Sequence, residues 1–197
     1  YLADNSPVAP DFARRSVGVS GIQDRYDAGD EVAFSLLRLD LTSIGSPENT
    51  SATATLTYNG GQTLDLGSRP VSGGTSGGFA FDLPADAAGS AVIEVEAAPS
   101  GTVATIPLTI RAASELTLTA PDQVAKSDTV DLGIEVGTAA GFVADGEVVV
   151  SDGGTELGRA TLADGAATVP VEAARLRLGK RTLTVSYAGD EDVAGST

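Results

Sequence analysis

The sequence contains no cysteine, histidine, methionine or tryptophan, and lysine occurs only at Lys126 and Lys180. Without cysteine there is no disulfide, no thiolate metal site and no thiol nucleophile. Without histidine the commonest general base and the commonest transition-metal ligand are missing. A catalytic centre would have to be built from carboxylates, hydroxyls and arginines. A glycosidase can be made that way, because it needs two acids facing each other across a cleft. Most other hydrolases cannot. No Gly-x-Ser-x-Gly elbow occurs either, and no serine here could be activated by an imidazole. Long apolar runs are also missing, so no membrane-spanning helix is expected. No secretory leader is recognisable at the start. The ends, Tyr1-Leu2-Ala3 and Ser196-Thr197, read as cuts from a longer protein.

Positive charge is scarce. The net charge is −15, from 12 basic and 27 acidic residues. It is spread evenly: residues 1–113 hold 13 of the acids and residues 114–197 the other 14. No basic patch stands out, so nucleic acid is not an expected partner. An anionic membrane surface would repel the chain, and membrane insertion is not expected. The plain meaning of the charge is solubility, and a monomer is expected.

What the chain does have is apolar residues, at 42% of 197, mostly Ala, Val and Leu with 5 Phe and 4 Tyr. Such small side chains suit thin sandwiches rather than deep ligand cavities. The length fits two sandwiches of about 100 residues each.

Period-two alternation with turn punctuation dominates. In the first half the pattern predicts strands at Arg15–Gly21, Glu31–Leu37, Ser51–Tyr58, Gln62–Leu66, Gly77–Leu83, Ala91–Ala97 and Val103–Ile110. Asn59-Gly60 between two alternating runs is a strong hairpin signal, because both residues accept positive φ. In Ser51–Tyr58, Ala52, Ala54, Leu56 and Tyr58 share one face and three threonines the other. In Ala91–Ala97, Val92 falls on the same face as Glu94 and Glu96, which predicts a register break or an exposed edge. In the second half strands are expected at Glu115–Thr119, Thr129–Val136, Gly146–Ser151, Thr155–Leu162, Ala166–Val171 and Arg181–Tyr187, with one helical turn within Val171–Leu178. The joint Arg111–Ser114 lacks a Gly/Ser tract, so limited hinge freedom is expected. The fold class is therefore all-β, with two tandem sandwich domains at residues 1–113 and 114–197.

Two acidic runs are the candidate sites. Asp24, Asp27, Asp30 and Glu31 have a density that can surround Ca²⁺, which takes six to eight oxygen ligands. The EF-hand spacing is absent, and Arg25 stands ready to neutralise one carboxylate, so a solvated loop is expected. Asp190, Glu191 and Asp192 read as the turn closing the last hairpin. No metal, cofactor or catalytic residue is assigned. Gly60-Gly61, Gly73-Gly74, Gly77-Gly78 and Gly153-Gly154 are turns, since none precedes Lys-Ser/Thr or opens a helix. Asn49-Thr50-Ser51 is a glycosylation sequon, expected to be idle in a bacterial chain. Ten arginines against two lysines, with abundant Ala and Gly, fit a GC-rich bacterial genome. Tyr26 and Phe142 fall in loops and are the candidate surface aromatics; Phe34, Phe79, Phe81, Tyr58 and Tyr187 are expected in strands, facing a core.

The segments Gly146–Gly158, Ala160-Thr161-Leu162, Asp164–Val169 and Leu178–Asp190, ending in Tyr187-Ala188-Gly189-Asp190, resemble bacterial Ig-like repeats of group 3. The likeness runs over residues 115–197. It departs at Lys180-Arg181, where the typical member has His after the Gly. The resemblance implies an immunoglobulin-like spacer or adhesion module. In the first half, Val17–Gly21, Tyr26–Val32 and Leu39–Pro47 resemble the region that follows the catalytic domains of large secreted nucleotidases and nucleases of GC-rich Gram-positive bacteria. The metal-binding motifs of those enzymes are absent from this stretch. Together the resemblances imply a secreted or cell-surface accessory module that spaces, orients or anchors a catalytic domain of the same parent chain. The alternative is a binding module for cell-wall glycan or a protein partner, marked by a contiguous exposed aromatic or apolar patch.

Overall fold

The computed structural model describes residues 15–40, 51–72, 75–76, 78–98, 101–138 and 141–197. Asn49 and Thr50 of the sequon, the turn residues Gly73 and Gly74, Gly77 and the end of the Leu39–Pro47 motif lie outside them. The described residues form β1 (Arg15–Ser20), β2 (Arg25–Asp27), β3 (Glu31–Asp40), β4 (Ser51–Tyr58), β5 (Gln62–Ser72), β6 (Thr75–Ser76), β7 (Phe79–Asp82), β8 (Gly89–Ala98) and β9 (Thr102–Arg111). They continue with β10 (Ser114–Thr119), β11 (Thr129–Thr138), β12 (Glu147–Asp152), β13 (Thr155–Thr161), β14 (Ala166–Glu172), β15 (Leu183–Gly189) and β16 (Ala194–Ser196). The fold is all-β, built as tandem immunoglobulin-like sandwiches.

Contacts divide the chain into two compact units. The first holds the described residues up to Asp24, with Glu31–Asp82 and Ala91–Leu108. The second holds Arg25–Asp30, Leu83–Ser90 and Thr109–Thr197. Two short segments from the first half of the sequence thus group with the C-terminal residues.

In the first unit the strand order is β1-β3-β6-β5-β4-β8-β9, with β7 also on β3. The long β3 serves both partners: Glu31–Phe34 pair with β7 and Ser35–Asp40 with β1. Alternation decides what is buried. Val32, Phe34, Leu36, Ala52, Ala54, Leu56, Ile93 and Val95 point inward. Each such fully buried Val, Leu, Ile or Phe contributes about 1.5–3 kcal/mol. Phe34 and Phe79 stack at 5.2 Å, and the Arg69 guanidinium lies 5.5 Å over the Phe79 ring. The Tyr58–Gln62 hairpin turns through Asn59 and Gly60 at φ 46° and 72°, as the Asn-Gly pair dictates.

The expected irregularity around Val92 does not occur. β8 pairs with β4 in unbroken register from Thr57↔Val92 to Ser51↔Ala98, and β9 flanks its other side. Ala91, Ile93, Val95 and Ala97 form the buried face. Val92 sits half-buried on the outer face with the exposed Glu94 and Glu96. Val92 is the odd residue, tolerated because its neighbours on that face are long and solvated.

The second unit is a sandwich of two sheets, β10-β11-β14 and β13-β12-β15-β16. One buried cluster joins them: Val130, Leu132, Ile134, Val169 and Val171 from the first sheet, Val148, Val150, Leu157, Val185 and Tyr187 from the second. Every member of that cluster lies between Val130 and Val193. The helical turn expected within Val171–Leu178 is a short 3-10 turn, Ala173–Arg175. It is fastened by the Arg175 guanidinium, which donates to the Leu157 carbonyl and, at 2.8 Å, to that of Glu156. Among the described residues no helix is long and apolar enough to cross a membrane.

Candidate functional site

Asp27 and Asp30 of the first acidic run and the whole of the second belong to the second unit, and the fold gives the carboxylates of Asp27, Asp30 and Asp190 structural tasks. β15 ends at Gly189, and the chain reverses through Asp190–Val193 into β16. The Asp190 carboxylate fills the reversal. Its Oδ1 accepts the N–H groups of Asp192 and Val193 at 2.8 and 2.7 Å. Its Oδ2 accepts the Asp145 N–H and the Tyr187 hydroxyl, each at 2.7 Å. The same hydroxyl lies 2.8 Å from the Asp145 carbonyl. One carboxylate thus ties the 190–193 reversal to the loop before β12 and to a core tyrosine. Burial pushes the Asp190 carboxyl up, but these four donors outweigh it and hold it below the usual carboxylate range. Tyr187 moves the other way. Burial first, then its bond to Asp190 and the charge of that group, push the phenol well above its ordinary value.

Gly189 makes the corner possible. Its φ is +86°, and a Cβ there would stand 2.7 Å from the Gly195 nitrogen and 2.9 Å from the Val193 carbonyl oxygen. Only glycine fits where two strands are pulled this close. Each conspicuous member of Tyr187-Ala188-Gly189-Asp190 thereby has a reason: a core anchor with a polar tip, a close backbone approach, and a cap for the turn.

The other acidic run closes on itself and on Arg111. The Asp30 carboxylate accepts the Asp27 N–H at 2.8 Å, and the Asp30 N–H donates to the Asp27 carbonyl at 3.0 Å. The Asp27 carboxylate takes the Arg111 guanidinium in a two-pronged pair at 2.5 and 2.9 Å. A third guanidinium nitrogen lies 3.5 Å from the Asp190 carbonyl. Arg111 side-chain exposure is 27% and that of Asp27 34%, so the pair is half-buried. The bond to Asp27 raises the Arg111 pKa. Arg25, expected to neutralise a neighbour in its own loop, instead reaches Glu191 at 3.7 Å. Nothing in the sequence could pair Asp27 with Arg111, because 84 positions separate them. The fold pairs them through the parallel ladder of β2 on the end of β9, Arg25↔Thr109 to Asp27↔Arg111. Asp24 and Glu31 remain exposed, outside this arrangement. Among the described residues no group of three acids is disposed to hold a metal ion.

The joint after Arg111 is bonded as well. Ala112 donates to the Asp192 carbonyl and its own carbonyl accepts from Ala194, at 2.8 and 2.9 Å. The Ser114 hydroxyl lies 2.7 Å from both the Ala194 carbonyl and the Ser196 hydroxyl. The surface-aromatic expectation is overturned. Tyr26 is 7% exposed, because β2 carries its ring inward. Phe142 is half-buried and packs on the C-terminal core cluster. Phe34, Phe79 and Tyr187 are buried, while Tyr58 and Phe81 are half-buried.

This corner lies within a stretch that matches a known family. Residues 116–197 match the bacterial Ig-like domain (group 3). No curated protein matches the chain. Among solved structures, trypsin-activated alpha-2-macroglobulin from Escherichia coli is similar at 18% identity with a TM-score of 0.43, over 90% of this chain and 14% of that one. The tetra-tandem repeat in the extending region of a large adhesion protein is similar at 18% identity with a TM-score of 0.37, over 91% of this chain and 46% of that one. The chain therefore spans a small part of the first of these and under half of the second.

Proposed function

We propose that the chain is a non-catalytic accessory module which spaces, orients or anchors a catalytic domain in a larger secreted or cell-surface bacterial protein. The observation that carries this reading is how the carboxylates are used. In a chain without histidine or cysteine, acids are the main candidates for chemistry, and Asp27, Asp30 and Asp190 are engaged by guanidinium and backbone N–H groups. The family match over 116–197 supports a module of repeat type. The two modules are residues 1–113 and 114–197, and the second contains its own core cluster entirely. The parent is a nucleotidase or nuclease, a reading that rests on the motifs Tyr26–Val32 and Leu39–Pro47. A glycan-binding role loses its support, since Tyr26 is buried and Phe142 half-buried. Exchange of the chain, within its parent gene, for an unrelated Ig-like pair of equal length tests the proposal. Unchanged turnover by the parent supports it. Loss of turnover with the catalytic domain still folded contradicts it.

A further inference from the structure

The chain passes from the first unit into the second after Asp24 and returns to the first at Glu31. This excursion, Arg25–Asp30, is lightly attached. Its one strand, β2, is three residues long and pairs in parallel, from Arg25↔Thr109 to Asp27↔Arg111. So short a strand gains little, and parallel ladders are the less stable kind. One further backbone bond reaches the same partner, from the Ala28 N–H to the Arg111 carbonyl at 3.0 Å. Residues 21–24 before β2 are irregular, and Gly29 stands at φ +86° in open space. The Asp27–Asp30 turn is bonded within itself, so the segment keeps its own shape. At its end the Asp30 carbonyl accepts the Leu83 N–H at 2.9 Å, next to the Glu31↔Asp82 pair of β3 and β7. The Asp190–Val193 reversal, by contrast, has its own bonds: Asp190 caps Asp192 and Val193, and Ala112 bonds to Asp192 and Ala194. One residue touches both. Arg111 takes the Asp27 carboxylate with two nitrogens and lies with the third 3.5 Å from the Asp190 carbonyl. Arg25 and Glu191, exposed and 3.7 Å apart, add little.

We propose that Arg25–Asp30 is a strap that opens and closes on the second unit as one piece, with Arg111 as its latch, while the sandwich it rests on stays folded. Local openings take the parts of a fold that have few buried contacts and few backbone bonds to their neighbours. The strap fits that description, with a single fully buried residue, Tyr26. Its bonds within the Asp27–Asp30 turn survive opening, which is why it moves as a piece. The Asp27–Arg111 fork is its strongest attachment, because two charge-assisted bonds act together. The pair is half-buried, so opening returns both charges to water and leaves neither stranded, as a deeply buried pair would be. Arg111 has its backbone in β9 and stays in place; the strap swings between residues 21–24 and the Asp30–Glu31 step. The inference is independent of the accessory role, which requires no opening.

The test is native-state hydrogen exchange of the ¹⁵N-labelled full chain, read at single amides. The Ala28 N–H reports the strap; those of Ala112, Val193 and Ala194 report the surface beneath it. In the natural chain Ala28 should exchange at least about tenfold faster than the other three. In Arg111→Gln it should gain about another tenfold while the three keep their rates. Arg111→Lys keeps the charge and loses the fork, and should fall between. Raising salt to about 1 M should speed Ala28 about threefold in the natural chain and leave it unchanged in Arg111→Gln. The salt arm on the natural chain decides the matter if Arg111→Gln does not fold. Exchange of Ala28 at the rate of the other three in the natural chain would overturn the proposal, since the strap would then open only with the whole unit. Equal acceleration of all four in Arg111→Gln, or none at Ala28 in that variant or in salt, would overturn it as well.

Discussion

The Tyr187 hydroxyl and the Asp190 carboxylate lie 2.7 Å apart, three residues apart in sequence, across the point where the last hairpin turns. The pair joins core to corner. The ring of Tyr187 is buried among Val148, Val150 and Val185, while its hydroxyl meets a carboxylate already engaged by three backbone N–H groups. The two halves of the bond differ in what their removal leaves behind. Tyr187→Phe deletes one donor and keeps the ring, and should lower stability by about 1–2 kcal/mol. Asp190→Ala strands the N–H groups of Asp145, Asp192 and Val193, and should cost about 2–3 kcal/mol. The double variant should fall short of the sum, because the two share an interaction. Urea unfolding of the four proteins measures this.

The same pair sets a pH signature. An unfolded tyrosine ionises near about pH 10, while the folded Tyr187 keeps its proton to higher pH. Above that pH the unfolded chain binds fewer protons than the folded one, so stability falls as pH rises. The stability difference between the natural chain and Tyr187→Phe should be constant below about pH 10 and shrink above it. Asp190 acts at the other end. Its folded pKa is depressed, so its contribution is present above the ordinary carboxylate value near 3.9 and is lost as pH falls through the lower folded value. In Asp190→Asn this acid-side loss should be reduced. A difference between the natural chain and Tyr187→Phe that stays constant into strong base would show that the phenol is not held as described.

Gly189→Ala should be among the most damaging single changes. Its methyl group would meet backbone atoms that cannot swing aside, at a positive φ. A loss on the order of 3 kcal/mol is expected. Gly179→Ala is the control. Its φ is +100°, but nothing lies within 4 Å of the new Cβ, so only the backbone strain of about 1 kcal/mol remains. Equal losses at the two sites would contradict the close approach.

The Asp27–Arg111 pair should contribute a coupling of about 1 kcal/mol in a double-mutant cycle, between the values for exposed and buried pairs. With Asp27 held by Arg111 and Asp30 capping its own turn, excess Ca²⁺ should leave the melting curve superimposed on that in chelator. A rise of several degrees with Ca²⁺, lost in Asp27→Ala, would make the loop a calcium site.

Much of this architecture is legible in the sequence, because alternation and turn chemistry are local. Ser51–Tyr58 and Asn59-Gly60 announce a strand and its hairpin, and Thr129–Val136 alternates as its buried face requires. Three strands were not legible, and all are short; Thr75–Ser76 has only two residues. Arg25–Asp27 is three residues long and is held by a parallel partner far away in sequence, so it reads as loop, and Tyr26 with it. Ala194–Ser196 is too short to alternate. The candidate site failed for the same reason. Asp190 as a turn residue is visible from its neighbours, but Arg111 as the partner of Asp27 depends on the tertiary ladder alone. The first acidic run reads as a solvated loop, whereas the fold uses the Asp27 carboxylate as a counter-ion to Arg111 and that of Asp30 as a cap.

The central claim is that these carboxylates hold structure and do no chemistry. Its most direct test is hydrolysis by the purified chain of nucleotide phosphomonoesters, phosphodiesters, glycosides and peptides, with and without divalent cations. The account predicts no turnover above the protein-free blank on any of them. Turnover that follows the folded chain through purification and disappears in Asp27→Asn or Asp190→Asn, with the fold retained, would contradict it.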